Sequence, residues 1–371
     1  MLVFGFLSFL GFGLVLVLVG ANQEPLARQL SLGLADSGLL VSTLSLGLGA
    51  GVVGAGPLFD RHPRRPLLVG AMALAAASLG TVRPDMTFER WLLHLAGAGA
   101  GIGAYGTFLN ASIVERFGTS AARPMSVLHA AATLGAIAGP PGAAWLGAEG
   151  DWIRSFHAVG ALHAALALAA LTVPLGARDA AGPPPDADDD RGRIGWALLP
   201  FALVAFAYVG IEGTLTVFAV PYAEHLTLPA GRGQLAISAF WLGLLVGRTG
   251  VLALGTALDA RMLLVAGAAG AGVIALATGL PVGRVEVAFF ASGACLGCVY
   301  PLTITLAGQA FPHARGTAAG LAGGAGALGG FAIPWIAGAL GDAGGAGVAV
   351  ASTAGFSLLI AAAAGLAMRA R

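Results

Sequence analysis

Two glutamates lie in segments that are otherwise apolar, and their position suits them to proton chemistry. Glu24 follows an uncharged run that begins at Leu2, and Glu212 lies inside the apolar run 194–223. An ionised carboxylate within a membrane segment is costly unless it is paired or hydrated. Desolvation favours the neutral carboxyl group, so such a residue can take up and release protons as a cavity opens and closes around it. We predict that Glu24 and Glu212 are proton-coupling residues.

Each glutamate also has a structural interpretation to be weighed against this one. Glu24 can pair with Arg28, one helical turn further on, at the outer mouth of a pathway. Glu212 has no basic residue within two turns of its own segment, so a local ion pair does not explain it. A local ion pair is therefore an alternative to proton coupling at Glu24 but not at Glu212.

Polar and aromatic side chains in the same apolar runs can line a cavity beside these carboxylates. Amides, imidazoles and hydroxyls bond a polar solute, and aromatic rings stack on the face of a sugar. The predicted substrate-binding residues are Asn22, Gln23, Asn110, His129, Tyr208, Trp241, Tyr300 and Thr303. The alternative for each is ordinary packing or an interfacial anchor, and for His129 it is a satisfied core histidine.

A tight basic turn joins the second and third apolar runs at residues 56–65, GPLFDRHPRR. Its aspartate can accept hydrogen bonds from amides at neighbouring helix ends, and its arginines can bind carboxylates or the last carbonyls of a helix. We predict a cytoplasmic gate here. The predicted gating residues are Asp60, Arg61, Arg64, Arg65 and Arg123. The alternative is that these arginines only fix the orientation of the chain.

Arg248 lies inside an apolar run and has no acidic residue near it in the sequence. A charged side chain in such a place either extends to the membrane surface or pairs with a residue of another helix. We predict a structural pairing across helices for Arg248, in preference to contact with a solute.

Composition places the chain in a lipid bilayer. Hydrophobic residues make up 57% of the chain and charged residues 10%, against roughly a quarter charged in soluble proteins. The net charge of +1, with scattered arginines, offers no basic surface for nucleic acid. Cys295 and Cys298 have no second pair or histidine near them, which predicts no metal site. A catalytic triad and a nucleotide-binding loop are also missing, so we predict neither an enzyme nor a cofactor.

Twelve apolar runs separated by polar clusters predict an all-α membrane protein of twelve transmembrane helices. They begin near Leu2, Gly38, Leu67, Trp91, Pro124, Phe156, Ile194, Gln234, Met262, Val287, Gly316 and Ala343. A displacement of 196 residues superposes Gly47 on Gly243 and Gly51 on Gly247. The helices are therefore predicted to form two six-helix, pseudo-symmetric bundles, with a binding site between them near the middle of the membrane.

The division between the bundles is predicted at residues 178–193, where three prolines and a run of aspartates cannot form a packed core. Residues 1–177 are the predicted first bundle, 178–193 a cytoplasmic linker and 194–371 the second bundle. If the amino terminus is cytoplasmic, the inside loops and tail hold twelve arginines and the outside loops six. This excess predicts that both termini lie in the cytoplasm.

The twelve runs and the turn at residues 56–65 resemble the major facilitator superfamily over essentially the whole chain. Five segments are similar to the fucose-permease group of sugar:proton symporters within it. They are residues 22–26 (NQEPL), 128–129 (LH), 135–140 (GAIAGP), 208–212 (YVGIE) and 241–248 (WLGLLVGR). The resemblance implies a transporter whose two bundles rock about a central cavity.

The predicted function is secondary active transport of a small polar, sugar-like solute by proton-coupled alternating access. The alternative is a proton-coupled antiporter that exports a drug or metabolite, because residues 135–142 also resemble the fifth-span motif of drug antiporters. The expected partners are the solute, protons and the lipid bilayer, and the protein is expected to be a monomer. All nineteen basic residues are arginine, which fits a GC-rich bacterial coding bias and predicts a bacterial inner membrane.

Overall fold

The computed structural model describes residues 1–174, 195–253, 259–279, 284–311 and 315–369, which are helical apart from short turns. The helices of the first half are α1 (Leu2–Ala21), α2 (Gln23–Leu30), α3 (Leu34–Arg61), α4 (Arg64–Gly80), α5 (Phe88–Phe117), α6 (Ala122–Leu146) and α7 (Ile153–Ala170). Those of the second half are α8 (Leu199–His225), α9 (Arg232–Ala253), α10 (Ala260–Gly279), α11 (Val285–Leu296), α12 (Val299–Ala310), α13 (Arg315–Gly344) and α14 (Ala346–Arg369).

Two of the twelve spans are each divided into two helices. Asn22 separates α1 from α2 with φ −105° and ψ 18°, and Gly297 and Cys298 separate α11 from α12. By length and composition, nine segments of the described chain are long and apolar enough to cross a membrane. Helices α4, α6 and α9 pack along those segments and complete the twelve.

The first half is held together where glycines bring helix backbones into contact. Gly47 and Gly51 of α3 lie against the carbonyl groups of Ala96 and Ala100 in α5, at points where no side chain fits. Two glycines of α5 lie in the same way against carbonyl groups of α3. Close approach of small residues is how membrane helices gain packing energy, since lipid supplies no hydrophobic force between them.

The second half repeats this contact between α9 and α11. Gly243 and Gly247 of α9 lie against the carbonyl groups of Phe290 and Ala294 in α11. These two glycines are the residues that a displacement of 196 places on the two glycines of α3. The internal repeat that the sequence predicts is therefore confirmed in the helix packing, and the bundles are pseudo-symmetric.

The most extensive antiparallel contacts between the halves of the described chain are those of α3 with α13 and of α6 with α9. The end of the molecule that holds Met1 and the turn between α3 and α4 is called the termini face. The other end, which holds the turn between α2 and α3 and the turn between α13 and α14, is called the opposite face. Near the opposite face, Gly38 of α3 lies against the carbonyl of Pro334 in α13.

The predicted linker, residues 178–193, lies outside the described residues. The boundary between the two bundles therefore stays a prediction.

Candidate functional site

Glu212 and Tyr208 lie one turn apart on the same face of α8, which places the carboxylate beside the phenol. The Tyr208 hydroxyl donates a hydrogen bond to Oε2 of Glu212 over 2.8 Å. Tyr208 is 2% exposed, whereas the side chain of Glu212 is 18% exposed. The carboxylate therefore has a fixed donor within the protein and still keeps part of its surface accessible.

Arg248 of α9 reaches the same cluster from a neighbouring helix. Its Nη2 donates to the Tyr208 hydroxyl over 2.9 Å and lies 3.8 Å from Oε2 of Glu212. The prediction that Arg248 pairs across helices is thereby confirmed. Charge-assisted N–H···O bonds have lengths of about 2.7–2.9 Å, so the arginine and the glutamate form an ion pair without a direct hydrogen bond.

Backbone chemistry fixes the other side of the Arg248 guanidinium. Its Nε donates to the carbonyl of Gly297, between α11 and α12, over 3.3 Å. Pro301 lies four residues after Gly297, and a proline has no amide to bond the carbonyl four residues before it. That carbonyl is therefore free to accept from the arginine. Nη1 of Arg248 donates to Oγ1 of Thr133 in α6 over 3.4 Å, so the arginine also links the two halves.

Two predicted substrate-binding residues of α12 differ in their surroundings. The ring of Tyr300 stacks on the ring of Tyr208, with centroids 5.8 Å apart. Tyr300 therefore joins the cluster through its aromatic face. Thr303 is fully buried and donates to the carbonyl of Val299 in its own helix over 2.7 Å, so its hydroxyl proton is already used.

Trp241 and Asn110 carry polar atoms that a solute can bond. Nε1 of Trp241 and Oδ1 of Asn110 are buried and have no hydrogen-bond partner within the described ranges. Trp241 lies on α9 two turns before Arg248, on the same side of the helix. His129 of α6 is exposed, and its ring meets Phe9 edge to face with centroids 5.2 Å apart.

Asn22, Gln23 and Glu24 lie at the junction of α1 and α2, near the opposite face. Nδ2 of Asn22 donates to Oγ of Ser155 in α7 over 2.9 Å, and the Gln23 amide donates to a serine of α3. Glu24 forms an ion pair with Arg28, the partner that the structural interpretation gives it. The structure thus gives all three residues partners outside the cluster around Glu212.

Arg64 and Arg65 bond within the first half at the termini face. Arg64 forms a two-pronged ion pair with Glu115 of α5, with N···O distances of 2.5 and 2.7 Å. Nη2 of Arg65 donates to the carbonyl of Val173, just after α7, over 3.2 Å. Both arginines therefore brace α4 against its neighbours in this conformation.

Of the other predicted gating residues, Arg123 is exposed in the first turn of α6. The side chains of Asp60 and Arg61 lie outside the described residues, although the backbone of both belongs to α3. The gate at the termini face stays a prediction.

Comparison with known proteins gives the family. A family model described as the Major Facilitator Superfamily matches residues 1–283. The chain belongs to this superfamily. The family predicted from the sequence is confirmed, and the protein is a multi-pass membrane transporter and not an enzyme.

Solved structures of other members of the Major Facilitator Superfamily share the fold. A D-xylose-proton symporter superposes with a TM-score of 0.78 at 16% identity, over 99% of this chain and 96% of the other. The nucleoside transporter NupG superposes with a TM-score of 0.73 at 16% identity, over 99% of this chain and 98% of the other. The predicted twelve-helix fold is therefore confirmed.

A curated relative from the mouse, named sodium-dependent glucose transporter 1A, is 27% identical over 133 residues. The match spans 36% of this chain and 31% of the length of that relative. This match agrees with membership of a transporter family. It does not identify the solute of this superfamily member.

Two parts of the site were not predicted from the sequence of this superfamily member. Thr133 was not among the predicted site residues, yet its hydroxyl accepts from Arg248. The free carbonyl of Gly297 was not predicted either, although the proline four residues later removes its amide partner. A sequence does contain this signal, because a proline in a helix shows that the carbonyl four residues before it lacks an amide partner.

Proposed function

We propose that this transporter carries a small polar, sugar-like solute together with protons by alternating access, and that Glu212 binds the coupling proton. One observation carries the proposal. Glu212 is a partly exposed carboxylate in the middle of α8, bonded by a neutral hydroxyl and with its arginine 3.8 Å away. Carboxylates within membrane segments mark ion and proton pathways.

The loose pairing of Glu212 supports proton binding. The pair of Arg64 with Glu115 is two-pronged and short, and both carboxylate oxygens accept directly from the guanidinium. Arg248 instead donates to three other acceptors and gives Glu212 no direct hydrogen bond. A proton on Glu212 removes its attraction for the guanidinium, which also touches the other half. Protonation is thereby connected to the contact between the bundles.

The polar groups of the site support a hydrophilic solute. Tyr300 offers an aromatic face on which a sugar ring can stack, and its neighbour in the stack is itself bonded to Glu212. Trp241 offers an N–H donor and Asn110 a carbonyl acceptor. A pathway for apolar drugs would be lined mainly by apolar groups, so these polar atoms favour the symporter over the exporter.

Protons are proposed as the coupling ion, although the curated relative is named as sodium-dependent. A metal cation at Glu212 would lie beside the guanidinium of Arg248, and like charges at such a distance repel each other. A proton forms a covalent bond with the carboxylate and needs no further ligands. Glu24 is proposed to assist at the opposite face, where its pair with Arg28 can hydrate and open.

Uptake into proteoliposomes tests the proposal. The purified protein is reconstituted and offered labelled xylose, glucose and other pentoses and hexoses under an imposed pH gradient. Wild type should accumulate at least one of these sugars against its concentration gradient. Glu212→Gln keeps the shape of the side chain and should abolish accumulation driven by the pH gradient while it preserves exchange down a gradient. Glu24→Gln should have the smaller effect.

Glu286→Gln is the matched control, because Glu286 is also a partly buried glutamate paired with an arginine, Arg232. Coupling should survive this change. Accumulation driven by a sodium gradient alone would show that sodium, and not the proton, is the coupling ion. In a second assay, addition of the sugar should alkalinise the outside medium as protons enter with it. If this alkalinisation is unchanged in the double variant Glu24→Gln, Glu212→Gln, the carboxylates do not carry the proton.

We also propose that both termini lie in the cytoplasm, that the chain is a monomer in a bacterial inner membrane, and that residues 1–177 and 194–371 move as two bodies. The arginine distribution supports the orientation. With this orientation the termini face is the cytoplasmic face, and we propose that Asp60, Arg61, Arg64, Arg65 and Arg123 form the gate there.

A further inference from the structure

Three side chains of the second half bond to backbone groups of the first half in the part of the molecule toward the opposite face. Oγ of Ser238 donates to the carbonyl of Ile137 over 2.8 Å. Nε2 of Gln234 donates to the carbonyl of Ala21 over 3.3 Å. The carboxylate of Asp342 is a third case, described below. All three contacts join the two bundles.

The two carbonyls are acceptors that their own helices leave free. Pro141 lies four residues after Ile137, and Pro140 lies three residues after it. Neither proline has an amide, so the Ile137 carbonyl loses both the α-helical and the 3₁₀ partner. Pro25 lies four residues after Ala21 and removes the amide of that position in the same way.

The partners of Asp342 are amides that a helix terminus leaves free. Its Oδ1 accepts from the amide of Leu34 over 2.6 Å, and its Oδ2 accepts from the amide of Ala35 over 3.1 Å. Both amides lie in the first turn of α3, where no residue of the same helix can bond them. The residue before this turn is Gly33, which has no side chain to cap it, so the cap is supplied by the other half.

The helix α9 presents its two donors together. Gln234 and Ser238 are four residues apart and therefore lie on one face of α9. That face is turned to α1 and α6, where the two free carbonyls stand. On the other helix pair, Gly338 of α13 lies against the carbonyl of Leu34, which lets Asp342 reach the end of α3.

We propose that Gln234, Ser238 and Asp342, bonded to the free backbone groups of Ala21, Ile137, Leu34 and Ala35, form a backbone latch that holds the opposite face closed. The first half supplies unpaired backbone groups, and the second half supplies the side chains. The three latch residues are positioning residues for transport, since they act on the equilibrium between the two access states. The proposal requires transport by rocking bundles but no particular solute or ion.

The latch suits a reversible closure. Each of its bonds exchanges for a bond to water when the face opens, so the loss of one bond should change the ratio of closed to open by roughly two- to tenfold. Two of the bonds are between neutral groups and are little affected by salt. When the opposite face opens, water can bond the free backbone groups of the first half. When the face closes, the same side chains of the second half bond them again.

Distances between spin labels on the two halves test the latch without any solute. Labels at Glu149→Cys and Ala230→Cys report the opposite face, and labels at His62→Cys and Ala310→Cys report the termini face. All variants carry Cys295→Ala and Cys298→Ala. Ser238→Ala, Gln234→Ala and Asp342→Ala should each lengthen the first distance and shorten the second. Asp342→Asn keeps one oxygen acceptor and should shift the distances less than Asp342→Ala.

Pro141→Ala is the sharpest variant, because the change lies in the first half and leaves the side chains of the second half as they are. It returns an amide to α6, which can bond the Ile137 carbonyl and so compete with Ser238. It should therefore open the opposite face, as Ser238→Ala does. The double variant Pro141→Ala, Ser238→Ala should be no more open than the more open single variant, because both changes remove one and the same bond. Ser238→Ala and Asp342→Ala should add.

Two variants serve as matched controls. Ser292→Ala removes a buried serine whose hydroxyl bonds a carbonyl of its own helix. Asp85→Asn removes an aspartate between α4 and α5 whose partner, Arg83, lies in the same turn. Neither should change the distances. If Ser238→Ala, Pro141→Ala and Asp342→Ala give the same distances as these controls, there is no latch, whatever the uptake experiment shows about the solute.

Discussion

Pro301 leaves the carbonyl of Gly297 without an amide partner, and the guanidinium of Arg248 takes the place of that amide over 3.3 Å. The break between α11 and α12 lies at the same point. A charged side chain in a membrane segment needs partners in the protein, and a proline in the neighbouring span provides one of them. The orientation of the arginine beside Glu212 therefore depends on a proline in another helix.

Pro301→Ala should return an amide that bonds the Gly297 carbonyl and displaces Arg248. A hydrogen bond to a charged group contributes about 1.5–3 kcal/mol, so kcat/KM for proton-driven uptake should fall by roughly tenfold or more. Pro66→Ala is the control, because Pro66 lies in the first turn of α4, where a missing amide costs little. Equal uptake by both variants would contradict the positioning role of the proline.

Tyr208→Phe should remove the hydroxyl that donates to Glu212 and accepts from Arg248, while the ring can still stack on Tyr300. Two charged groups then each lose a hydrogen bond. We expect proton-driven uptake to fall by roughly ten- to a hundredfold, with the protein still folded. Binding of the solute in the absence of a gradient should fall less, because the Tyr208 hydroxyl proton is already donated to Glu212 and one of its two lone pairs accepts from Arg248.

Tyr222→Phe is the matched control for that change. The hydroxyl of Tyr222 is also buried and donates to a carbonyl of the second half, that of Ala277, over 2.9 Å. Tyr222 lies ten residues after Glu212 in α8, which is about 15 Å along the helix. If the two tyrosine variants lose the same uptake, the effect comes from stability and not from the carboxylate.

The sequence predicted those features that depend on composition and on spacing along one helix. Apolar runs gave the twelve spans, and the repeated glycines of α3 and α9 gave the two matching halves. Tyr208 and Glu212 are four residues apart, so their contact on one face of α8 could be expected. These features are local, and the periods of helices and membranes determine them.

The contacts between helices could not be predicted in the same way. Arg248 meets Thr133 because α9 and α6 cross at one particular height, and no spacing within either helix encodes that height. Likewise, Thr303 was predicted to bind the solute, and the rotation of α12 within the bundle is what leaves it fully buried. The helix register and rotation come from the packing of all neighbours together.

Gly51→Ala should destabilise the fold. The added methyl group would lie on the carbonyl of Ala100, where neither backbone can give way easily, and such overpacking costs about 1–3 kcal/mol. Gly247→Ala should cost as much, because it makes the same change against Ala294 in the second half. Thermal unfolding in detergent measures both.

Gly54→Ala is the control for these glycines, since a methyl group there meets nothing within 4 Å. Alanine is the better helix former by about 0.5–1 kcal/mol, so this variant should melt at the same temperature as wild type or higher. Similar losses of melting temperature at Gly51 and Gly54 would contradict the backbone contact.

Trp241→Phe should weaken solute binding without changing the proton site. The indole N–H of Trp241 is buried and has no acceptor among the residues described, and a buried donor without a partner is costly. A solute that supplies an oxygen there removes this cost, so the loss of the N–H should raise KM for the accumulated sugar by roughly two- to tenfold. The dependence of uptake on the pH gradient should stay as in wild type, because Glu212 and Arg248 keep their partners. Trp145→Phe is the matched control, since Trp145 is 78% exposed and lies at the end of α6. An unchanged KM in Trp241→Phe would place the solute elsewhere in the pathway.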